Sequence, residues 1–345
     1  MNQLPFLTAT PGIGGQLKSQ PEDFVVDEIP LYEACGEGEF LYLRIRKRDF
    51  SATELTAHIA RTFKIGQSEI GVAGRKDRRA VTTQFVSVPA RSVDDPSRLN
   101  TDQIEVIESR RHRNKLKTGH LTGNRFEIIV RDPNVDDRSE LRRLVDRTAD
   151  AIRQSGFLNY YGEQRFGRDD DTDHDGFRLL RGEPVRRLNR NALRFALSAA
   201  QSRLFNDWIA DRVSDGLTHN VLAGDVMQVV ESGGCFSVDD VAVEQARFDN
   251  RETVLTGPIF GPKMRQPAGQ PGVREATILD RFGLSPESFL RFRKLTSGTR
   301  RPLLIWPDEF TAEVIEAGVR LTFALPSGAY ATALLREFSK CDNVR

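Results

Sequence analysis

The stretch Gly71-Val-Ala-Gly-Arg-Lys-Asp-Arg-Arg-Ala-Val-Thr-Thr-Gln-Phe-Val-Ser-Val88 joins two short apolar runs, each with the pattern of a strand, through a glycine-flanked charged loop. Asp77 stands in this loop among four cations, Arg75, Lys76, Arg78 and Arg79. An aspartate in such surroundings is expected to be ionised at neutral pH. Two interpretations are open: the carboxylate anchors salt bridges, or it is a nucleophile or base presented to a polyanion that the cations attract.

Length and composition limit the classes of protein to which the chain can belong. Its 345 residues suffice for two domains of ordinary size. With 50 Lys+Arg against 49 Asp+Glu, any surface for nucleic acid must come from segregated charge. The scattered thiols Cys35, Cys235 and Cys341 indicate neither a disulfide framework nor a zinc site, and they fit a reducing cytoplasm. No stretch has the length and apolarity of a membrane span or an export signal.

The first third of the chain alternates strand and helix patterns. Residues 24–29 and 40–45 read as strands, and the second places Leu41, Leu43 and Ile45 on one face. Ser51 and Glu54 form the capping box of a following helix. The Asp77 loop therefore sits at the mouth of a predicted sheet, on a scaffold of the kind that often carries catalytic residues.

A basic tract covers residues 110–126. It holds no acid and six cations, Arg110, Arg111, Arg113, Lys115, Lys117 and Arg125. The tract is either a solvated loop before a strand or an RNA contact. The second interpretation gains support because the tract ends in Asn124 and Phe126, which can hydrogen-bond and stack on an exposed base. A second run of cations lies at 291–301.

An apparent calcium loop begins at Asp171. Asp171-x-Asp173-x-Asp175-Gly176 matches the first six positions of an EF-hand loop, but Gly182 stands where the bidentate glutamate is needed. We therefore expect no metal there, and instead an acidic loop leading into a helix around residues 177–180.

Five segments together resemble the TruD family of tRNA pseudouridine synthases. Residues 73–84 resemble the family's AGxKDxxAxTxQ segment and residues 20–26 its PEDFxV segment, which Lys18 precedes as in the family. Residues 123–126, 159–167 and 325–332 are similar to the NRF, NYxGxQRFG and LPxGxYAT motifs. All stand in the family's order from residue 18 to residue 338, which makes the combined resemblance highly specific.

The resemblance implies roles for individual residues. Asp77 corresponds to the catalytic aspartate and Lys18 to its charge partner. Phe126 is expected to stack on the target uracil, and Asn124 to hydrogen-bond the edge of that base. The further substrate-binding residues expected on this basis are Arg125, Lys76, Gln164 and Arg165.

The resemblance also implies an α+β fold: a pseudouridine synthase-like, mixed but mainly antiparallel sheet with flanking helices, plus an inserted α/β TRUD domain. The catalytic domain would be discontinuous, covering residues 1–165 and 304–345, with the insertion at 166–303. The implied substrate is uridine-13 in the dihydrouridine arm of tRNA, and the implied enzyme is an isomerase. The reaction breaks the N1 glycosidic bond and rejoins the base through C5, so no cofactor is expected. We expect a monomer.

Two other functions remain open at the level of sequence. One is a non-catalytic tRNA-binding or RNA-chaperone protein on the same fold, which would leave uridine unchanged. The other is a hydrolase that uses Asp77 on another nucleoside bond and releases free base. If Asp77 is catalytic, it can add to the base, add to C1′ of the sugar or abstract the 2′ proton, and the sequence does not choose among these routes.

Overall fold

The computed structural model of the chain describes residues 4–74, 76–162, 165–167 and 171–341. The chain forms two compact units. The large-sheet unit comprises Thr10–Ser155, Trp306–Ala331 and Phe338–Arg345. The helix-rich unit comprises Met1–Ala9, Gly156–Ile305 and Thr332–Glu337.

The described residues form the following strands and helices, in chain order: β1 (Phe24–Pro30), β2 (Phe40–Arg48), α1 (Ala52–Phe63), β3 (Gly71–Val72), β4 (Val81–Pro89), β5 (Ile104–His112), β6 (Leu121–Val130), α2 (Arg138–Ser155), β7 (Phe157–Leu158), α3 (Asp171–Arg181), α4 (Arg190–Ser214), β8 (Val226–Val229), β9 (Cys235–Ser237), α5 (Val241–Asp249), β10 (Thr253–Ile259), α6 (Gly269–Arg281), β11 (Thr299–Pro302), β12 (Leu304–Ile305), β13 (Asp308–Ile315), β14 (Gly318–Pro326) and α7 (Ala331–Ser339).

The large sheet has the strand order β13-β14-β6-β1-β4-β2-β5, with β3 paired to β4. β1 and β4 run parallel, with Val25 opposite Val81. The other neighbouring strands described in this sheet are antiparallel. The predicted mixed, mainly antiparallel sheet is therefore confirmed.

Helix α1 forms as its sequence predicts. The amide of Glu54 donates to Ser51 Oγ at 3.1 Å, and the amide of Ser51 donates to Glu54 Oε2 at 2.8 Å, which completes the capping box. The helix ends at Phe63 because Lys64 takes a left-handed conformation. Its apolar stripe packs on a buried cluster of the sheet that includes Leu43 and Ile45.

Strand alternation divides the large sheet into two faces. Helix α1 covers part of one face, and we call this face the site face. On it, residues that are paired across neighbouring strands lie side by side. The site face carries, from β1, β2, β4, β6 and β14, the residues Phe24, Glu28, Lys47, Thr82, Gln84, Asn124, Phe126 and Phe323. Intervening residues such as Asp27 and Arg125, which are themselves paired, belong to the reverse face.

The helix-rich unit contains α3 to α6 and an antiparallel four-stranded sheet of order β11-β10-β8-β9. The expectation of an acidic loop before residue 177 is wrong, because α3 already begins at Asp171. Acidic residues are favourable in the first turn of a helix, where they meet the positive end of its dipole. The same helical backbone is incompatible with an EF-hand loop in this segment.

Candidate active site

Asp77 and Lys18 form an ion pair. Lys18 Nζ lies 2.6 Å from Asp77 Oδ2, and the side chains are 17% and 41% exposed respectively. The same ammonium lies 4.1 Å from the centroid of the Phe24 ring. Lys18 has a φ of 54°, a left-handed value that is uncommon for a residue with a side chain and is frequent at functional sites. The two residues predicted as a catalytic pair are thus brought together.

The turn before β1 positions Lys18. A 3-10 turn, Pro21–Asp23, ends directly at the start of β1. The Asp23 carboxylate is fully buried, accepts from the amide of Gln20 at 3.0 Å and accepts from Arg131 Nε at 2.8 Å. Burial raises the pKa of Asp23, but the hydrogen bonds from Arg131 and Gln20 outweigh it and hold the pKa below its ordinary value. This network gives the Pro-Glu-Asp segment a structural role, because it fixes the turn next to Lys18.

A buried lysine holds the backbone of the Asp77 loop. Lys47 on β2 has no exposed surface. Its ammonium donates to the carbonyl oxygen of Asp77 at 2.9 Å and also to the carbonyl of Phe50. Burial is the main reason that the pKa of Lys47 falls to about 8, and the positive charge of Lys76 lowers it further while Asp77 opposes the fall. Lys18 therefore restrains the side chain of Asp77, and Lys47 restrains its main chain.

Lys76 points into the sheet beside Asp77. Its ammonium lies 2.9 Å from Glu28 Oε2, in side chains that are only 6% and 1% exposed. It also donates to Asn124 Oδ1. Glu28 accepts in addition from the amide of Phe85 at 3.2 Å. Two predicted substrate-binding residues, Lys76 and Asn124, are thus in direct contact.

Phe126 belongs to a buried aromatic cluster. Its ring stacks on Phe323 at 5.2 Å and meets the edge of Phe24 at 6.2 Å between centroids. Only 7% of Phe126 is exposed. Because so little of the ring is exposed, a base can stack on Phe126 as predicted only if one of the side chains that cover the ring moves aside.

Arg125 lies on the reverse face, between the site-face residues Asn124 and Phe126. Its guanidinium pairs with Glu309 at 2.7 Å. Arg125 also lines a pocket of about 380 Å³, to which Asp27 and Arg110 contribute as well. Strand alternation separates it from Asp77, so a contact from Arg125 to RNA would be made on the reverse face.

The other predicted residues belong elsewhere. Arg165 lies in the helix-rich unit, where Nε donates to Ser202 Oγ at 3.1 Å and Nη2 donates to Ser198 Oγ. Gln164 lies outside the described residues. Within the basic tract, Arg110 and Arg111 are on β5 and Arg125 is on β6, so the tract is partly strand.

Glu28 and Lys47 were not predicted as site residues, although the sequence contained a signal for Lys47. Leu43, Ile45 and Lys47 alternate along β2, so the lysine occupies a position at which the pattern calls for an apolar side chain. A charge on a buried face indicates a partner in the interior. No comparable signal identified Glu28, because its partner Lys76 is 48 residues away and belongs to a loop.

The described residues also bear on metal binding and on membrane insertion. In the described ranges, no cluster of three or more His, Cys, Asp or Glu side chains could hold a metal ion. None of the helices described is long and apolar enough to cross a membrane.

Comparisons with known proteins agree with this fold and identify the family. The family model "tRNA pseudouridine synthase D (TruD)" matches residues 1–186 and 183–338. The tRNA pseudouridine synthase D of Anaeromyxobacter dehalogenans strain 2CP-1 is 40% identical over 99% of this chain and 97% of its own. That of a Thermus thermophilus strain is 38% identical over 98% and 92%. The crystal structure of a putative tRNA pseudouridine synthase D from Methanosarcina mazei superimposes with a TM-score of 0.79 at 26% identity, covering 98% of this chain and 96% of that one.

The pseudouridine synthase-like α+β fold and the family match together place the chain among the RNA-modifying isomerases. The chain belongs to the TruD family of tRNA pseudouridine synthases.

Proposed function

We propose that this enzyme converts uridine-13 of the dihydrouridine arm of tRNA to pseudouridine, with Asp77 as its catalytic carboxylate. The observation that carries the proposal is the double restraint of Asp77, by Lys18 at 2.6 Å and by Lys47 at 2.9 Å, in a side chain that remains 41% exposed. Preorganised catalytic groups held by neighbouring side chains show this combination of restraint and access.

The two carboxylate oxygens of Asp77 have different surroundings. Oδ2 accepts from Lys18. Oδ1 has no hydrogen-bond partner among the residues that the structure describes. Oδ1 is therefore the atom that we expect to attack the nucleoside or to remove its proton, while Lys18 holds the rotamer and stabilises the negative charge.

The target base would lie over the site face. Asn124 bonds its edge, and Phe126 stacks on it after a covering side chain moves aside. Extruding a base from folded tRNA costs a few kcal/mol, which stacking and phosphate contacts must offset. The basic tract supplies phosphate contacts, and Arg125 and Arg165 are proposed as further substrate-binding residues. Cytoplasmic tRNA is the expected partner and a monomer the expected state.

The catalytic domain in this proposal is discontinuous. We place it at residues 1–165 and 304–345, with the inserted TRUD domain at 166–303. The Asp77 loop, Lys18 and Lys47 all belong to the large-sheet unit, which supports the assignment of chemistry to the first of these domains.

The decisive experiment is incubation of the purified protein with unmodified tRNA, followed by mass labelling of pseudouridine and mapping of its position. The proposal predicts one pseudouridine at position 13 and none in a transcript with cytidine there. Binding without modification would identify a non-catalytic RNA-binding protein. Release of free uracil with an abasic site would identify a hydrolase.

A further inference from the structure

Lys76 determines which atom of the Asn124 amide faces outward. The Lys76 ammonium has only hydrogens to donate, so the atom that it contacts on Asn124 must be the oxygen. The orientation of this amide, which is often ambiguous, is fixed by chemistry at this position. The Nδ2 group is then the free end of the amide, and it has no hydrogen-bond partner within the described part of the chain.

Glu28 holds Lys76 in this position. Its carboxylate lies between β1 and β4, where Oε1 accepts from the amide of Phe85 at 3.2 Å and Oε2 lies 2.9 Å from Lys76 Nζ. Both charged side chains are at least nine-tenths buried, so neither can leave its partner without exposing an unpaired charge to the interior. The ammonium is therefore a fixed donor, and Asn124 cannot turn its amide around.

A fixed donor distinguishes uracil from cytosine at one position of the ring. Uracil carries the carbonyl acceptor O4, whereas cytosine carries an amino group there that only donates. An amide free to turn would accept from the amino group by presenting its oxygen. An amide whose oxygen is already occupied can offer only its NH₂ group, so with cytosine two donor groups would point at each other. Leaving such polar groups buried without a partner is costly.

We propose that the Glu28–Lys76 pair selects uracil over cytosine by forcing Asn124 to donate from Nδ2 to O4 of the target base. This inference rests on the proposed function, since it requires the base to lie against Asn124. Asn124 reads the base, and Glu28 and Lys76 are positioning residues that act through it.

The test measures the dissociation constants of two tRNA transcripts that differ only in carrying uridine or cytidine at position 13. We expect the wild-type protein to prefer uridine by about tenfold, the effect of one well-made hydrogen bond. The preference should fall to about one in Asn124→Ala. It should also fall in the double variant Lys76→Met/Glu28→Gln, which keeps Asn124 but lets its amide turn. The double substitution removes both charges, so neither is left buried alone.

Retention of the preference by the double variant would overturn the inference, whatever Asn124→Ala does. Glu127→Gln is the matched control, because Glu127 lies on the same strand but on the reverse face, 3.3 Å from Arg320. It should keep the wild-type preference. Failure of the wild-type protein to make pseudouridine would instead contradict the proposed function, so the two failures are distinct.

Discussion

Lys18 Nζ and Asp77 Oδ2 lie 2.6 Å apart although the two residues are 59 positions apart in the sequence. The pair joins the turn before β1 to the loop before β4, and these two strands form the parallel pair of the large sheet. Parallel neighbours start at the same end of a sheet, so the segments that precede them meet there. Lys18 and Asp77 are thus brought together because β1 and β4 run in the same direction.

Lys18→Met should reduce turnover by about a hundredfold or more and leave tRNA affinity nearly unchanged. Methionine keeps the length of the side chain but removes the donor that orients Oδ2 and stabilises the charge on Asp77. Single-turnover rates and binding constants on the same preparation separate the two effects. Lys263→Met, at an exposed position of the helix-rich unit, is the control. A weakening of tRNA binding that accounts for the whole loss would show that Lys18 contacts RNA instead.

The lowered pKa of Lys47 predicts a pH dependence of stability. Between about pH 8, its value in the folded protein, and its ordinary value of 10.5, the unfolded chain binds the proton that the folded protein has released. The free energy of unfolding should therefore rise with pH across this window by up to about 1.4 kcal/mol per unit, relative to Lys47→Met. Below pH 8 both states bind the proton, and the difference between the proteins should be constant.

Urea unfolding of both proteins at intervals from pH 7 to 10.5 measures this difference. Parallel curves throughout would mean that the pKa of Lys47 is not lowered by burial. Activity should not collapse as Lys47 loses its proton, because a neutral amine retains two N–H donors for its two carbonyl partners, those of Asp77 and Phe50.

The basic tract should contribute phosphate contacts that weaken with salt. Replacement of Arg111, Arg113, Lys115 and Lys117 by alanine is expected to reduce tRNA affinity and to flatten the plot of log affinity against log salt, by up to about 0.7–0.9 per lost contact. Arg113 also pairs with Glu37, so its share is expected to be smaller. The control replaces Arg142 and Arg147, which are exposed on α2. Equal slopes for the wild-type protein and the tract variant would exclude the tract as a phosphate-binding surface.

Local patterns in the sequence predicted those parts of the fold that short-range physics determines. The capping box at Ser51 and the alternation of Leu43 and Ile45 gave α1 and the buried side of β2, and both are confirmed. The start of α3 at Asp171 was not predicted, because an acidic run is compatible both with a solvated loop and with the first turn of a helix. The local sequence does not distinguish between the two.

The site was less predictable because its contacts are long-range. The sequence allowed Lys76 to be predicted as a site residue, but it did not allow its pairing with Glu28 to be predicted. The two residues come close only because β1 runs beside β4. Alternation along β6 already places Arg125 opposite Asn124 and Phe126, so its location on the reverse face could have been predicted from the sequence.

The most direct test of the central claim is the pseudouridine yield of Asp77→Asn. Asparagine keeps the size of the side chain and removes the charge, so folding and tRNA affinity should be close to those of the wild-type protein while turnover disappears. Melting temperature, tRNA affinity and yield are measured on one purified preparation. If Asp77 were only a structural anchor, the variant would lose about 1 kcal/mol of stability or less and its folded fraction would still make pseudouridine. Loss of yield in a folded, tRNA-binding variant is the predicted result, and easily measured turnover by that same folded variant would contradict the account.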